Sequence, residues 1–167
     1  MIVIGIDPGT ALTGYGIVEE TQAGQLRAIE YGIIETSSAQ SLEKRLEKLN
    51  QSLSQLLILH SPESGAVEKL FFNRNVRTAM SVGQARGVIL LALAEAGIEV
   101  EEYSPSEIKQ AVTGYGGADK NQVQQMVRTL LSLDTIPQPD DVADALAVAI
   151  CHINSNRFKR IIQENRG

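Results

Sequence analysis

The opening stretch Ile2-Val3-Ile4-Gly5-Ile6-Asp7-Pro8-Gly9-Thr10 constrains the fold more than any other part of the chain. So apolar and β-branched a run predicts a strand buried on both faces, at the centre of a sheet covered by helices. It delivers one carboxylate, Asp7, to its end and then breaks at Pro8-Gly9. A charge at the edge of a buried strand is costly unless something compensates it, and a divalent metal is one natural compensator. Asp-Pro-Gly is also ordinary turn chemistry, so the meaning of Asp7 depends on the other residues brought to it.

With 167 residues the chain is long enough for one domain with a proper core. Leu12–Val18 reads as a second strand and Ala28–Ile34 as a third, joined by a turn at Gln22–Gln25. Short connections make these an antiparallel meander. Leu42, Leu46, Leu49, Leu53 and Leu56 recur at helical spacing and predict an amphipathic helix packed on the sheet. Gly65–Glu68 reads as a fourth strand. A helix from Arg74 or Asn75 to Ala96 follows, apolar almost all round, which implies burial between layers or in a subunit interface. Ile98–Tyr103 alternates like a fifth strand, Ser104-Pro105-Ser106 opens a short helix, and further helices are expected over about Asp119–Leu133 and Asp140–Asn154. The expected architecture is α/β: one layered domain over residues 1–154 and a basic tail over 155–167 that frays.

One cysteine, Cys151, excludes a disulfide framework or a zinc knuckle, and two histidines exclude a histidine-rich metal centre. With no secretory signal and no apolar run long enough to span a bilayer, the chain is expected in the cytoplasm, with no membrane partner. The net charge of −5 argues mildly against nucleic acid, but a sum over the chain hides local patches and counts catalytic carboxylates.

Further acidic positions give that charge a use. Glu68 ends an apolar strand as Asp7 does, and Asp141 and Asp144, three apart at the start of an alanine-rich helix, share a face. Ala143, Ala145, Ala147 and Ala149 would let that helix sit close to the sheet, so that Asp7, Glu68, Asp141 and Asp144 converge. Like charges raise one another's pKa and destabilise a site unless cations enter. Magnesium suits a few carboxylates plus water and phosphate oxygens, and two such ions can activate a water and stabilise the leaving oxygen of a phosphodiester. Asp140 and Asp141 could instead merely complement the helix dipole, a stabilisation of about 0.3–1 kcal/mol each.

Gly5-Ile6-Asp7-Pro8-Gly9-Thr10, Glu68 with Phe71-Phe72, Gly83-Gln84-Ala85-Arg86-Gly87, Lys109–Gly114 and Asp140-Asp141-Val142-Ala143-Asp144-Ala145-Leu146 together closely resemble the RuvC family of crossover junction endodeoxyribonucleases, within the ribonuclease H-like superfamily. The resemblance runs from Met1 to about Ile153. It implies a five-stranded mixed sheet flanked by helices, and a homodimer that nicks two opposed strands of a four-way (Holliday) DNA junction during recombination and repair. It also implies Mg²⁺, two ions per site with Mn²⁺ as a substitute, held by Asp7, Glu68, Asp141 and Asp144. The family spacing selects Asp141 over Asp140. The RuvA–RuvB branch-migration complex is the implied partner.

For the substrate the resemblance implies base stacking by Phe71, a base or sugar-phosphate contact by Arg74, and a DNA path lined by Lys109 and Lys120. The glycine loop Gly114–Gly117 offers backbone N–H groups to phosphate, although Gly117 stands where many relatives are expected to carry a basic residue. Phe71 and Phe72 cannot both point into one core, and a base stacked on an exposed aromatic is worth about 1–3 kcal/mol. Other readings are an RNA-processing nuclease of the same superfamily, a non-catalytic module for branched DNA, and an actin-like or sugar-kinase-like ATPase. The last shares the first phosphate loop but needs a second domain, for which 167 residues are too few.

Overall fold

The computed structural model describes residues 1–69 and 76–164, with the side chains of 76–78 outside the description. Phe71, Phe72 and Arg74 lie outside the described residues. The strands are β1 (Ile2–Asp7), β2 (Leu12–Glu20), β3 (Leu26–Glu35), β4 (Ser64–Glu68) and β5 (Glu99–Tyr103). The helices are α1 (Leu42–His60), α2 (Val76–Glu95), α3 (Pro105–Thr113), α4 (Lys120–Leu130) and α5 (Asp140–Glu164).

One five-stranded sheet runs in the order β3-β2-β1-β4-β5. β1 pairs antiparallel with β2 and β2 antiparallel with β3, while β4 pairs parallel with both β1 and β5. The predicted meander and the predicted central place of β1 are both present. The alternation of a strand assigns each β1 side chain to a layer. Ile4 and Ile6 join Ile17, Val67 and the leucines of α1 and α2 in one core, while Val3 joins Val18, Ala66 and the long α5 in the other. By the same parity Asp7 stands on the α5 face with Val3, and Glu68 stands there with Ala66.

The helix ends carry local signals. Ser104 and Glu107 form a reciprocal capping box at the start of α3, with Pro105 in the first turn, and Asp119 with Gln122 does the same for α4. At α5 the structure departs from expectation. The helix was expected to stop near Asn154 with a frayed tail beyond, yet it continues to Glu164. The basic residues read as a loose tail are tethers: Arg157 and Arg160 both pair with Glu20, and Lys159 pairs with Glu101.

Helix α2 buries only one side. Ala85, Ile89, Ala92 and Leu93 lie in the core, whereas Met80 is 75% exposed and Leu91 54% exposed. Among the described residues no atom lies within 4 Å of where a Cβ would stand on Gly83 or Gly87. Nothing among the described residues covers this apolar face of α2. Among the described residues no helix is long and apolar enough to cross a membrane.

Candidate active site

The acidic centre is assembled by three glycines in the sheet. Gly5 of β1 pairs with Gly16 of β2, and Asp7 pairs with Gly14. All three glycines lie on the α5 face. A Cβ on Gly5 would overlap the Ala145 carbonyl and Ala149 amide, one on Gly14 the Asp141 carbonyl, and one on Gly16 the Leu146 side chain. Helix α5 thus rests almost directly on the backbone of β1 and β2. That close seating sets Asp141 and Asp144, in its first two turns, over the end of β1. The sequence reading credited the closeness to the alanines of α5 and missed the sheet's half of the arrangement. Alternate glycines within strands were the available signal, since a strand glycine marks close backbone approach.

His152 is a second position to which the sequence reading gave no role. It is buried in α5, with Nδ1 2.9 Å from the Tyr103 hydroxyl and Nε2 2.9 Å from the Ser64 hydroxyl. Burial lowers its pKa and favours the neutral ring. It ties α5 to β4 and β5 and so helps fix the helix register along the sheet.

Asp7 lies at the heart of the centre. Burial pushes its pKa up to about 8, reinforced by the charges of Glu68, Asp144 and Asp141 and by a hydrogen bond shared with Glu68. Glu68 is raised as well, by burial and by Asp144, against the pull of Asp7, Lys120 and Lys109. Asp144 is raised by burial, although Lys120 opposes it. These couplings place all four predicted carboxylates in one electrostatic neighbourhood. Glu68 and Asp144 open onto a cavity of about 220 Å³ shared with Lys109, Lys120 and Ile108. Asp141 opens on the other flank, onto a second cavity of about 460 Å³ with Gly9, Thr10 and Arg45.

Lys120 is the cation already present. Its Nζ lies 3.0 Å from Asp140 and 3.3 Å from Asp144. Partial burial lowers its pKa, but the hydrogen bond to Asp140 and the charge of Asp144 more than reverse that. Asp140 is thereby occupied, by Lys120 and by the Gln124 amide at 2.9 Å. Its role in the structure is to hold α4 against α5, which separates it from Asp141.

Among the described residues no three His, Cys, Asp or Glu side chains stand close enough together to enclose an ion as arranged here. The donor set itself is all oxygen, and burial among like charges holds its central carboxyl, Asp7, in the protonated form, a proton that a bound cation would displace. Hard divalent cations suit such a set.

The glycine loop after α3 differs from expectation. Its N–H groups were read as available to phosphate, but those of Gly114, Tyr115, Gly116 and Ala118 donate to Gln110, Thr113, Gln110 again and Tyr115. The loop closes on itself because Gln110 Nε2 also bonds the Gly114 carbonyl at 2.8 Å. Lys109 lines the cavity beside it.

A central mixed sheet, a strand-end acid on β1 and on β4, and two further acids on a helix crossing the sheet define the ribonuclease H-like class. The family profile described as "Crossover junction endodeoxyribonuclease RuvC" matches residues 3–152. A crossover junction endodeoxyribonuclease RuvC of Heliobacterium modesticaldum is 57% identical over 155 residues, 93% of this chain and 95% of the relative. The Thermus thermophilus RuvC structure superposes with a TM-score of 0.88 at 38% identity, covering 95% of this chain and 97% of that one. The T. thermophilus RuvC in complex with Holliday junction substrate gives a TM-score of 0.87 at 35% identity, over 95% and 96% of the two chains. The chain belongs to the RuvC family of crossover junction endodeoxyribonucleases.

Proposed function

We propose that Asp7, Glu68, Asp141 and Asp144 hold Mg²⁺, two ions with Mn²⁺ as a substitute, in an endonuclease that resolves Holliday junctions by paired symmetric nicks. Family membership makes the chain a crossover junction endodeoxyribonuclease. The observation that carries the metal reading is the buried Asp7, flanked by three further carboxylates that raise its pKa. Negative charge gathered where a phosphodiester must approach is a cost that only cations offset. When bound, the ions supply Lewis acidity to the phosphate and a water nucleophile at neutral pH.

The chain's own groups do the rest. Glu68 and Asp144 face the cavity through which the strand enters, and Lys109 on its wall presents a positive charge to the backbone. Lys120 is held by Asp140 and Asp144, poised to transfer its charge from carboxylate to phosphate. Phe71 and Arg74, outside the described residues, keep their proposed parts, base stacking and a base or sugar-phosphate contact. A non-catalytic module for branched DNA would gain nothing from four acids beside the phosphate path. The substrate test is incubation with labelled four-way junction, duplex and RNA–DNA hybrid, with Mg²⁺ or with EDTA. Symmetric nicks confined to the junction with Mg²⁺ are expected; cutting of the hybrid instead would turn the reading to RNA processing.

Asp140 and Asp141 separate in a direct comparison. Asp141→Asn should reduce single-turnover cleavage by roughly a hundredfold or more, the scale on which charge-stabilising groups act. Asp140→Asn should cost less than about tenfold, since it loses one exposed pairing with Lys120. Equal, complete loss in both would reassign the helix register.

A four-way junction has two-fold symmetry, and a C2 dimer repeats one site about such an axis. The uncovered face of α2, with Met80 and Leu91 exposed and Gly83 and Gly87 open to close approach, is our proposed contact. Met80→Glu should give a folded monomer by light scattering that nicks singly rather than in pairs. A protein that stays dimeric and cuts in pairs would place the contact elsewhere. By the same family reading the dimer acts on cytoplasmic DNA alongside a RuvA–RuvB branch-migration complex.

A further inference from the structure

The cavity on the Asp141 flank is not used by the chemistry above, and its walls are unlike those of the entry cavity. They comprise the turn after β1, with Gly9 and Thr10, together with Arg45 from α1, Val82 from α2 and Asp141. Arg45 is half-buried, and among the described residues no carboxylate lies within ion-pair distance of it. Its orientation is nevertheless fixed. The Nε–H donates to the Thr36 hydroxyl at 2.9 Å, and that hydroxyl donates to the Thr10 carbonyl. Thr36 is 6% exposed and its own amide donates to the Ala11 carbonyl at 2.9 Å. The guanidinium is therefore aimed by a buried relay anchored in the same turn that carries Asp7. Within that turn the Thr10 hydroxyl is closed off from solvent and has no hydrogen-bond partner among the described residues.

A fixed guanidinium whose terminal N–H groups have no hydrogen-bond partner among the described residues is a donor for a tetrahedral oxyanion. Arginine recognises phosphate through two parallel hydrogen bonds that a flexible ammonium does not reproduce. The cavity shares Asp141 with the acidic centre, so a strand lying across that centre continues into it. We infer that Arg45 binds a phosphate of the cleaved strand next to the scissile one and so sets the position of the strand over the carboxylates. This rests on the nuclease reading above. Lys109 and Lys120 would then hold one side of the scissile phosphate and Arg45 the other.

The test uses the full-length protein with Mg²⁺ and four-way junctions carrying a single neutral methylphosphonate at each phosphate around the cut. Wild-type protein should lose roughly tenfold to a hundredfold in single-turnover cleavage at one flanking phosphate, the scale of a charge-assisted hydrogen bond. Arg45→Ala should lose a similar factor on the unmodified junction and be indifferent to neutralisation of that same phosphate. Its slope of log affinity against log salt should be smaller by about 0.9. Arg45→Lys keeps the charge without the planar fork and should fall between the two; if Arg45→Ala melts early, the same map on Arg45→Lys decides. Wild-type cutting by Arg45→Ala, or slowed cutting with the phosphate map unchanged, would overturn the inference. Wild-type protein that cuts no junction at all would instead overturn the nuclease reading, so the two failures are distinct.

Discussion

Asp7→Asn is expected to bind four-way junctions at least as tightly as wild type and to leave them uncut, a loss on the order of a thousandfold or more in single-turnover cleavage. Asn keeps the shape of the side chain but cannot become a carboxylate, so a divalent ion would lose its most buried donor while the approaching phosphate would meet no added charge there. A second readout needs no DNA. In the folded protein Asp7 holds its proton up to about pH 8, whereas a carboxyl in the unfolded chain loses it near 3.8. The native state therefore binds the extra proton between those values, and its contribution to stability, complete below about pH 4, is lost as pH rises toward 8. In EDTA the Asp7→Asn protein should melt above wild type, with a gap that widens from pH 5 to pH 8. Added Mg²⁺ should close that gap by stabilising wild type alone. Cleavage by Asp7→Asn at the wild-type rate would remove Asp7 from the chemistry, and a gap that ignores both pH and Mg²⁺ would remove the metal from the cluster.

Gly14→Ala should be almost as damaging to cleavage although Gly14 has no side chain to contribute. The added methyl would overlap the backbone of Asp141, which cannot rotate away as a side-chain tip could. The start of α5 must lift from β2, carrying Asp141 and Asp144 with it. A displacement of about 1 Å at reacting groups can cost roughly a hundredfold in rate, and overpacking of this kind costs about 1–3 kcal/mol of stability. Gly65→Ala is the control. Its methyl would face the other core at ordinary contact distances, 3.4 Å from Ile98 and Leu93, so cleavage should be unchanged. If Gly14→Ala cuts junctions normally, the acids do not depend on the close seating of α5.

Much of this was legible in the chain because two periodicities do not interfere. Ile2–Ile6 is apolar at every side-chain position, which only a central strand covered on both faces satisfies, and the sheet order agrees. Leu49 and Leu53, expected on the packed side of α1, are buried, while Leu57 is buried where Leu56, only half-buried, was expected. Ser104 and Asp119 announce their helices by local hydrogen bonding that needs no tertiary partner. The four acids were legible as candidates because each breaks a local apolar pattern.

What sequence could not decide depends on contacts between residues far apart in the chain. Whether Arg157 and Arg160 fray or tether turns on Glu20, more than a hundred positions away, and spacing carries no information about that pairing. The glycine loop looked open because the Gln110 side chain that closes it lies in the preceding helix, where a polar residue ordinarily faces water. Gly5, Gly14 and Gly16 were visible as glycines, but only the pairing of β1 with β2 turns them into one flat floor under α5. The chain by itself determined which residues are apolar, which can cap and which are acidic, since those are properties of side chains and their near neighbours. The tertiary structure alone decided that Asp7, Glu68, Asp141 and Asp144 share one electrostatic neighbourhood, because the separation of charges across a fold is set by how closely a helix can approach a sheet.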